Sequence, residues 1–307
     1  MSELQDRPLD PYADAEELIE LFDQVFGFTI TPAMWAWKYV PPWTTRFYCW
    51  VGIADGKIIG YCGAVPLRGW MDGKDAMFFQ LADFMVHPDW RRKHDFFGRA
   101  VQQFEKDTVG DRKLVYGFSD HRAFLLLRRQ GYCDLVEKAT ARFVHPNGRI
   151  PRYEFREWKF TEPTIDALWL AQRDQIGTAL VRDTRYLAWR YGSHPANRYR
   201  VFGVFDGAAA IGWTLIGADP PGERDRIPEV PVVDMLLPEA AMKDTLESLA
   251  KHLDHSLAAW FPQRLASGLE DTRETSTNVY HFVKGSTVDT VLLRDSLYYT
   301  MGDVDWW

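Results

Sequence analysis

"MFFQLADFMVHPDWRRKHDFFGRAVQQFEKD", residues 77–107, decides how this chain is read. It runs from an apolar stretch through His-Pro-Asp-Trp, across Arg91, Arg92 and Lys93, and into a segment with apolar residues at helical spacing. The apolar run bounded by a proline predicts a strand. Phe97, Val101 and Phe104, with Ala100 beside them, predict a helix with one buried face. A helix pinned against a sheet at the end of a strand presents unpaired N–H groups and the positive end of its dipole, which together favour an anion. Three cations just before it add charge-assisted donors. The layout is that of an anion-binding loop, yet the glycines that usually bring the main chain close to a phosphate are missing.

Downstream, "KLVYGFS" (113–119) reads as a further strand and "HRAFLLLRRQGY" (121–132) as a helix. Upstream, an internal repeat extends the reading over the whole chain. "MWAWKYVPPWTTRFYCWVGIADGKIIGYCGAV" (34–65) and "YLAWRYGSHPANRYRVFGVFDGAAAIGWTLI" (186–216) share the step Trp37-Lys38-Tyr39 against Trp189-Arg190-Tyr191. Each continues through a proline-containing turn into two strands joined at Asp55-Gly56 or Asp206-Gly207, a strong hairpin signal. A helix is predicted before each copy, burying Leu18, Leu21, Phe22 and Val25 in one and Ile165, Leu168, Trp169 and Gln172 in the other. A third strand follows in both, "FFQLADFMVHP" (78–88) and "VPVVDMLLPE" (230–239), placing Asp83 and Asp234 at equivalent positions. The seam falls near 143–153, rich in Pro, Gly and polar residues. The expectation is an α/β (α+β) protein of two homologous domains, 1–145 and 150–307, each a mixed, mostly antiparallel sheet flanked by helices.

The 307 residues are 46% hydrophobic and 26% charged, as in a packed globular protein. A formal charge of −7 argues against a general field for nucleic acid or anionic membrane. No apolar run reaches the length of a membrane span, and no basic-then-apolar leader opens the chain, so a cytoplasmic location is expected. Cys49, Cys62 and Cys133 form neither a C-x-x-C pair nor an even set, and the histidines lack H-E-x-x-H spacing, so no metal is expected.

The order of elements from 77 to 132 resembles the GNAT superfamily of acyl-CoA N-acyltransferases. The family loop has the form V-x-P-x-x-R-x-x-G-x-G; Val86, Pro88 and Arg91 match it, and His94 and Phe96 replace its glycines. The later family pattern N-x-x-A-x-x-x-Y-x-x-x-G-F corresponds to Asp120, Ala123, Leu127, Gly131 and Tyr132. The resemblance implies a tandem GNAT fold with acyl-CoA on the first domain: pantetheine on the main chain of Met85 and Val86, diphosphate on the loop of Arg91, Arg92, Lys93, His94, Asp95 and Phe96. The second domain offers Glu239 and Ala240 where the first has arginines; an acidic helix start repels diphosphate, so this domain is read as degenerate and as closing the acceptor side.

Aminolysis of a thioester needs a base for the ammonium, donors for the oxyanion, and preferably an acid for the leaving thiolate. Asp83, in an otherwise apolar strand, is the base candidate; strand alternation predicts Leu81, Asp83 and Met85 on one face. Leu127 stands at the usual tyrosine position, which leaves Tyr116, Ser119 and His121 as candidate acids. The resulting expectation is N-acyl transfer, acetyl transfer first, from acyl-CoA to a small-molecule or peptide amine, with no nucleic-acid or membrane partner. The alternative is a catalytically silent GNAT-fold binding or regulatory protein.

Overall fold

The computed structural model describes residues 5–91, 96–108, 110, 112–148, 150–217 and 229–304. The first half runs β1 (Gln5–Pro8), α1 (Ala15–Phe26), α2 (Pro32–Tyr39), β2 (Tyr48–Ala54), β3 (Lys57–Met71), β4 (Lys74–Leu81), β5 (Met85–Val86), α3 (Phe96–Thr108), β6 (Lys113–Ser119), α4 (His121–Arg129) and β7 (Cys133–Val144). The second runs β8 (Glu154–Trp158), α5 (Thr164–Ile176), β9 (Ala179–Leu180), α6 (Thr184–Leu187), β10 (Tyr199–Asp206), β11 (Ala209–Gly217), β12 (Val230–Leu236), α7 (Met242–Leu253), β13 (Leu257–Trp260), β14 (Thr272–Phe282) and α8 (Thr290–Ser296).

Local chemistry accounts for most boundaries. α1 buries Leu18, Leu21 and Phe22 and stops at Gly27, whose φ of 76° suits a residue without a Cβ. α2 starts where the Thr31 hydroxyl accepts from the Met34 amide, with Pro32 in the first turn. The β2–β3 turn puts Asp55 and Gly56 at φ 51° and 74°, the paired positive angles a two-residue hairpin needs. In α5, Ile165, Leu168, Trp169 and Gln172 are all buried, as their spacing predicts.

The strands form one sheet in the order β1-β2-β3-β4-β6-β14-β7-β13-β12-β11-β10-β8 among the described residues. Its centre joins the two halves by exchange. β14, from the second half, lies antiparallel between β6 and β7 of the first, and β7 pairs with β13 of the second. Neither half therefore completes its sheet from its own strands. Two apolar clusters cover the sheet: a large one that includes Trp37, Phe78, Trp189 and Trp213, and a smaller one under α3 and α4 built on Phe79, Phe96, Phe104 and Phe124.

The predicted third strand of the first half is broken. β4 ends at Leu81, and pairing with β3 resumes only at Met85. Between the pairs Tyr61–Met85 and Ala64–Leu81, β3 advances three residues and the opposing chain four, so one extra residue bulges out. Asp83 takes up the distortion at φ 49°, a conformation in which aspartate is tolerated better than most side chains. Simple alternation across residues 81–85 does not hold for that reason.

Candidate active-site cleft

The bulge opens the sheet. β4 and β6 run parallel and pair from Met77–Lys113 to Gln80–Tyr116, after which the chains part. β5 stays with β3, and β6 continues beside β14 to Ser119. The inner edge of β5 has no strand beside it among the described residues, so it faces the gap with its main-chain groups. A cavity of about 830 Å³ fills this gap. Its walls come from both faces of the sheet: Val86, Ala123, Leu127 and Tyr280 on the α3–α4 side, and Val25, Phe28, Phe118 and Val304 on the other. The opening thus passes through the sheet rather than indenting one face. Polar groups are few and local, as is usual where orientation is set by a handful of contacts.

Asp83 and Arg91 stand on this wall. The Asp83 side chain is only 5% exposed, and its Oδ2 accepts from Lys38 Nζ at 2.5 Å and from the Tyr39 hydroxyl. The acidic group expected in an apolar strand is therefore held in a buried ion pair. The tyrosine contact recurs in the second half, where the Tyr191 hydroxyl donates to Asp234 Oδ2 at 2.8 Å, but the cation there is Arg182, whose Nε donates to Oδ1 at 2.9 Å, while Arg190, the counterpart of Lys38, donates to the Gly302 and Val304 carbonyls. Arg91 is exposed, and its Nε donates to the Val86 carbonyl at 3.1 Å, which holds the guanidinium at the mouth of the gap.

Met85 is fully buried, pairs with Tyr61 of β3 and does not line the cavity, whereas Val86 does. Phe96 begins α3 with its ring packed against the paired Gly52 and Gly60, where a Cβ would come within 2.4 and 2.3 Å of the ring; it is buried and does not line the cavity. Arg92, Lys93, His94 and Asp95 lie outside the described residues.

The three candidate acids separate. Tyr116 packs into the large cluster between Phe78 and the wall residue Phe118 without itself lining the cavity, and burial pushes its phenol well above the ordinary value. His121 is exposed at the start of α4 and does not line the cavity. Ser119 does line it, and its hydroxyl has no hydrogen-bond partner among the described residues. Asp120 caps α4, accepting from the Ala123 amide at 2.8 Å, and also reaches the cavity.

Several wall residues escape a reading of the first half alone. Thr277 and Tyr280 come from β14 and Val304 from the end of the chain. No local signal assigns them to this site, because only the strand exchange brings them there.

No family model matches the sequence, and no curated protein does. Solved structures do. A GCN5-related N-acetyltransferase from Anabaena variabilis aligns with 91% of this chain and 72% of its own at 12% identity and a TM-score of 0.66. A tandem GNAT protein from the clavulanic acid biosynthesis pathway aligns with 94% of this chain and 100% of its own, at 15% identity and a TM-score of 0.59. The N-myristoyltransferase of Saccharomyces cerevisiae, solved with bound myristoyl-CoA, covers 92% of this chain with 78% of its own at 10% identity and a TM-score of 0.56. At such identities the likeness is one of fold. The chain has the GNAT superfamily fold, in its two-copy form.

Proposed function

We propose that the protein is an N-acyltransferase that takes an acyl group from acyl-coenzyme A and passes it to a primary amine by direct attack. The observation that carries this reading is the parting of β5 from β6, which leaves main-chain groups facing a cavity that passes through the sheet. An extended amide chain such as pantetheine finds complementary groups along such an edge. Arg91 at the mouth, with the basic stretch that follows it, suits the diphosphate. The donor then enters from the α3–α4 face and the amine, free or on a peptide, from the face of Phe28, Phe118 and Val304.

In this scheme the amine nitrogen attacks the thioester carbonyl, the C–S bond breaks, and the electron pair leaves with sulfur. Ser119, on the wall with an unpartnered hydroxyl among the described residues, is a donor for the polarised carbonyl. Asp83 is assigned to positioning: held by Lys38 and Tyr39, it fixes the bulge that keeps the strands apart. The same pair favours a second reading, a silent acyl-CoA-binding protein, since the carboxylate expected as base is already engaged.

Isothermal titration with coenzyme A, followed by thiol release from acetyl-CoA across a panel of primary amines, tests the proposal. Binding with thiol release supports it, and Arg91→Ala then weakens binding. Binding without release with any amine selects the silent reading. No heat at millimolar coenzyme A removes both.

A further inference from the structure

The proposed transfer leaves a thiolate, and none of the acids read from the first half serves it well: Tyr116 lies in the opposite cluster and off the cavity wall, His121 is exposed and off the wall, and Ser119, which is on the wall and assigned above to the carbonyl, is an alcohol and a far weaker acid than a phenol. Yet a phenol stands on the cavity wall. Tyr280 lies on β14, paired with Gly117 of β6, and is 3% exposed. Its side chain lies across β6 rather than along its own strand: a Cβ on Gly117 would meet the Tyr280 hydroxyl at 2.5 Å. The absence of a side chain at 117 lets the phenol reach over β6 toward the side on which β4 and β5 part. Phe124 of α4, with its ring centroid 6.2 Å away, steadies the ring, and Leu127 belongs to the same cluster.

We propose that Tyr280 is the proton donor to the departing thiolate, supplied to the first half's cleft by the strand that the second half inserts. The inference rests on the acyl-CoA reading above. As the C–N bond forms and the C–S bond breaks, the electron pair passes to sulfur and the Tyr280 O–H proton follows. The phenolate regains a proton from the water that receives the ammonium proton, so charge and protons balance. The exchange of strands then has a chemical consequence: the first half has no complete site without the second.

A donor of this kind stabilises the thiolate of bound coenzyme A and lowers its pKa below the roughly 8.5 of a free thiol. The test is an ultraviolet thiolate titration of coenzyme A bound to the wild-type protein and to Tyr280→Phe. The protein's own thiols do not interfere below pH 10, because burial pushes Cys49 to about 11, Cys133 to about 12, and Cys62 well above its ordinary value. The charged groups that share the cavity, Asp83 with its Lys38, Arg91 and Asp120, are present in both proteins, so the difference between the two curves reports Tyr280.

Bound thiol should ionise about one pH unit lower in wild type than in Tyr280→Phe, a roughly tenfold difference in the thiolate-to-thiol ratio at a given pH. Binding to both with identical thiol titrations overturns the role of Tyr280 while leaving the acyl-CoA reading intact. A wild type that does not bind coenzyme A overturns that reading, and the inference with it. Should Tyr280→Phe fail to fold, the wild-type curve decides: a bound thiol that ionises no earlier than free coenzyme A overturns the inference.

Discussion

Trp37 and Trp189 hold each other across the repeat: each indole N–H donates to the other's main-chain carbonyl, at 2.9 and 3.1 Å, over a separation of 152 residues. Their rings stack at 23° with centroids 5.9 Å apart. The offset found in the sequence between the two Trp-basic-Tyr steps is thus also a contact in space. Equivalent residues can meet reciprocally only near a two-fold axis, so the pair marks the pseudo-symmetry that relates the halves. Either Trp→Phe replacement should destabilise the protein by about 1–3 kcal/mol, since it leaves a buried carbonyl without its donor. The double replacement should cost less than the two singles together, because the two sites share one contact. Denaturant midpoints of the four proteins give the coupling; strict additivity would contradict a reciprocal pair.

The exchange of β7 and β14 predicts that the halves do not fold separately. A fragment ending near residue 148 lacks the strand that lies between β6 and β7, and exposes long unpaired edges. Expressed alone, either fragment should aggregate or remain unfolded by circular dichroism. Co-expressed, they should recover a soluble one-to-one complex. A cooperative thermal transition from residues 1–148 alone would refute this.

Asp83 offers a way to separate shape from chemistry. Asp83→Ala removes the carboxylate that faces a buried ammonium, and breaking a buried pair in this way costs about 3–5 kcal/mol. Its principal effect should therefore be on stability, with weaker coenzyme A binding because the bulge relaxes. Asp83→Ala with unchanged stability but abolished turnover would instead restore the role of base.

Two buried histidines set an acid limit. His194 Nδ1 accepts from the amides of Ala196 and Asn197 at 3.2 and 2.8 Å, and its ring sits edge-on to Trp37 at 4.3 Å. Burial, with Arg190 and Arg198 adding to it, pushes His194 down to about 4. His281, enclosed by the Thr290 and Ser286 hydroxyls, is pushed by burial to the same value. A folded-state value below the unfolded 6.5 means that the unfolded chain takes up protons first. Stability should be complete above about pH 6.5 and fall as the pH drops toward 4, by up to about 1.4 kcal/mol per unit per histidine. Urea midpoints between pH 7 and 4 read this, and His194→Gln should flatten part of the slope.

The architecture was legible where local chemistry governs: Asp55-Gly56 and Asp206-Gly207 make the hairpins, the α5 stripe is buried as spaced, and so is that of α1 except for Val25, which is half-buried and lines the cavity. Strand alternation failed at Asp83, because a bulge is a tertiary fit between two strands and leaves no periodic trace. Lys38 stands one residue beyond Trp37 in the repeat, but its pairing with Asp83 spans 45 residues and follows from the fold alone. Tyr280 was hidden for a similar reason. Its partner Gly117 lies on a strand of the other half, and no spacing in the sequence announces that the halves trade strands.

Hydrogen exchange of the full chain with and without saturating coenzyme A tests most directly whether the parted strands are the donor site. Protection should rise in peptides covering Ala82–Arg91 and Phe118–Gln130, with no change over β12 and β13, the equivalent strands of the second half. Protection centred on β12 and β13, or none in the first-half peptides at saturation, would contradict the assignment.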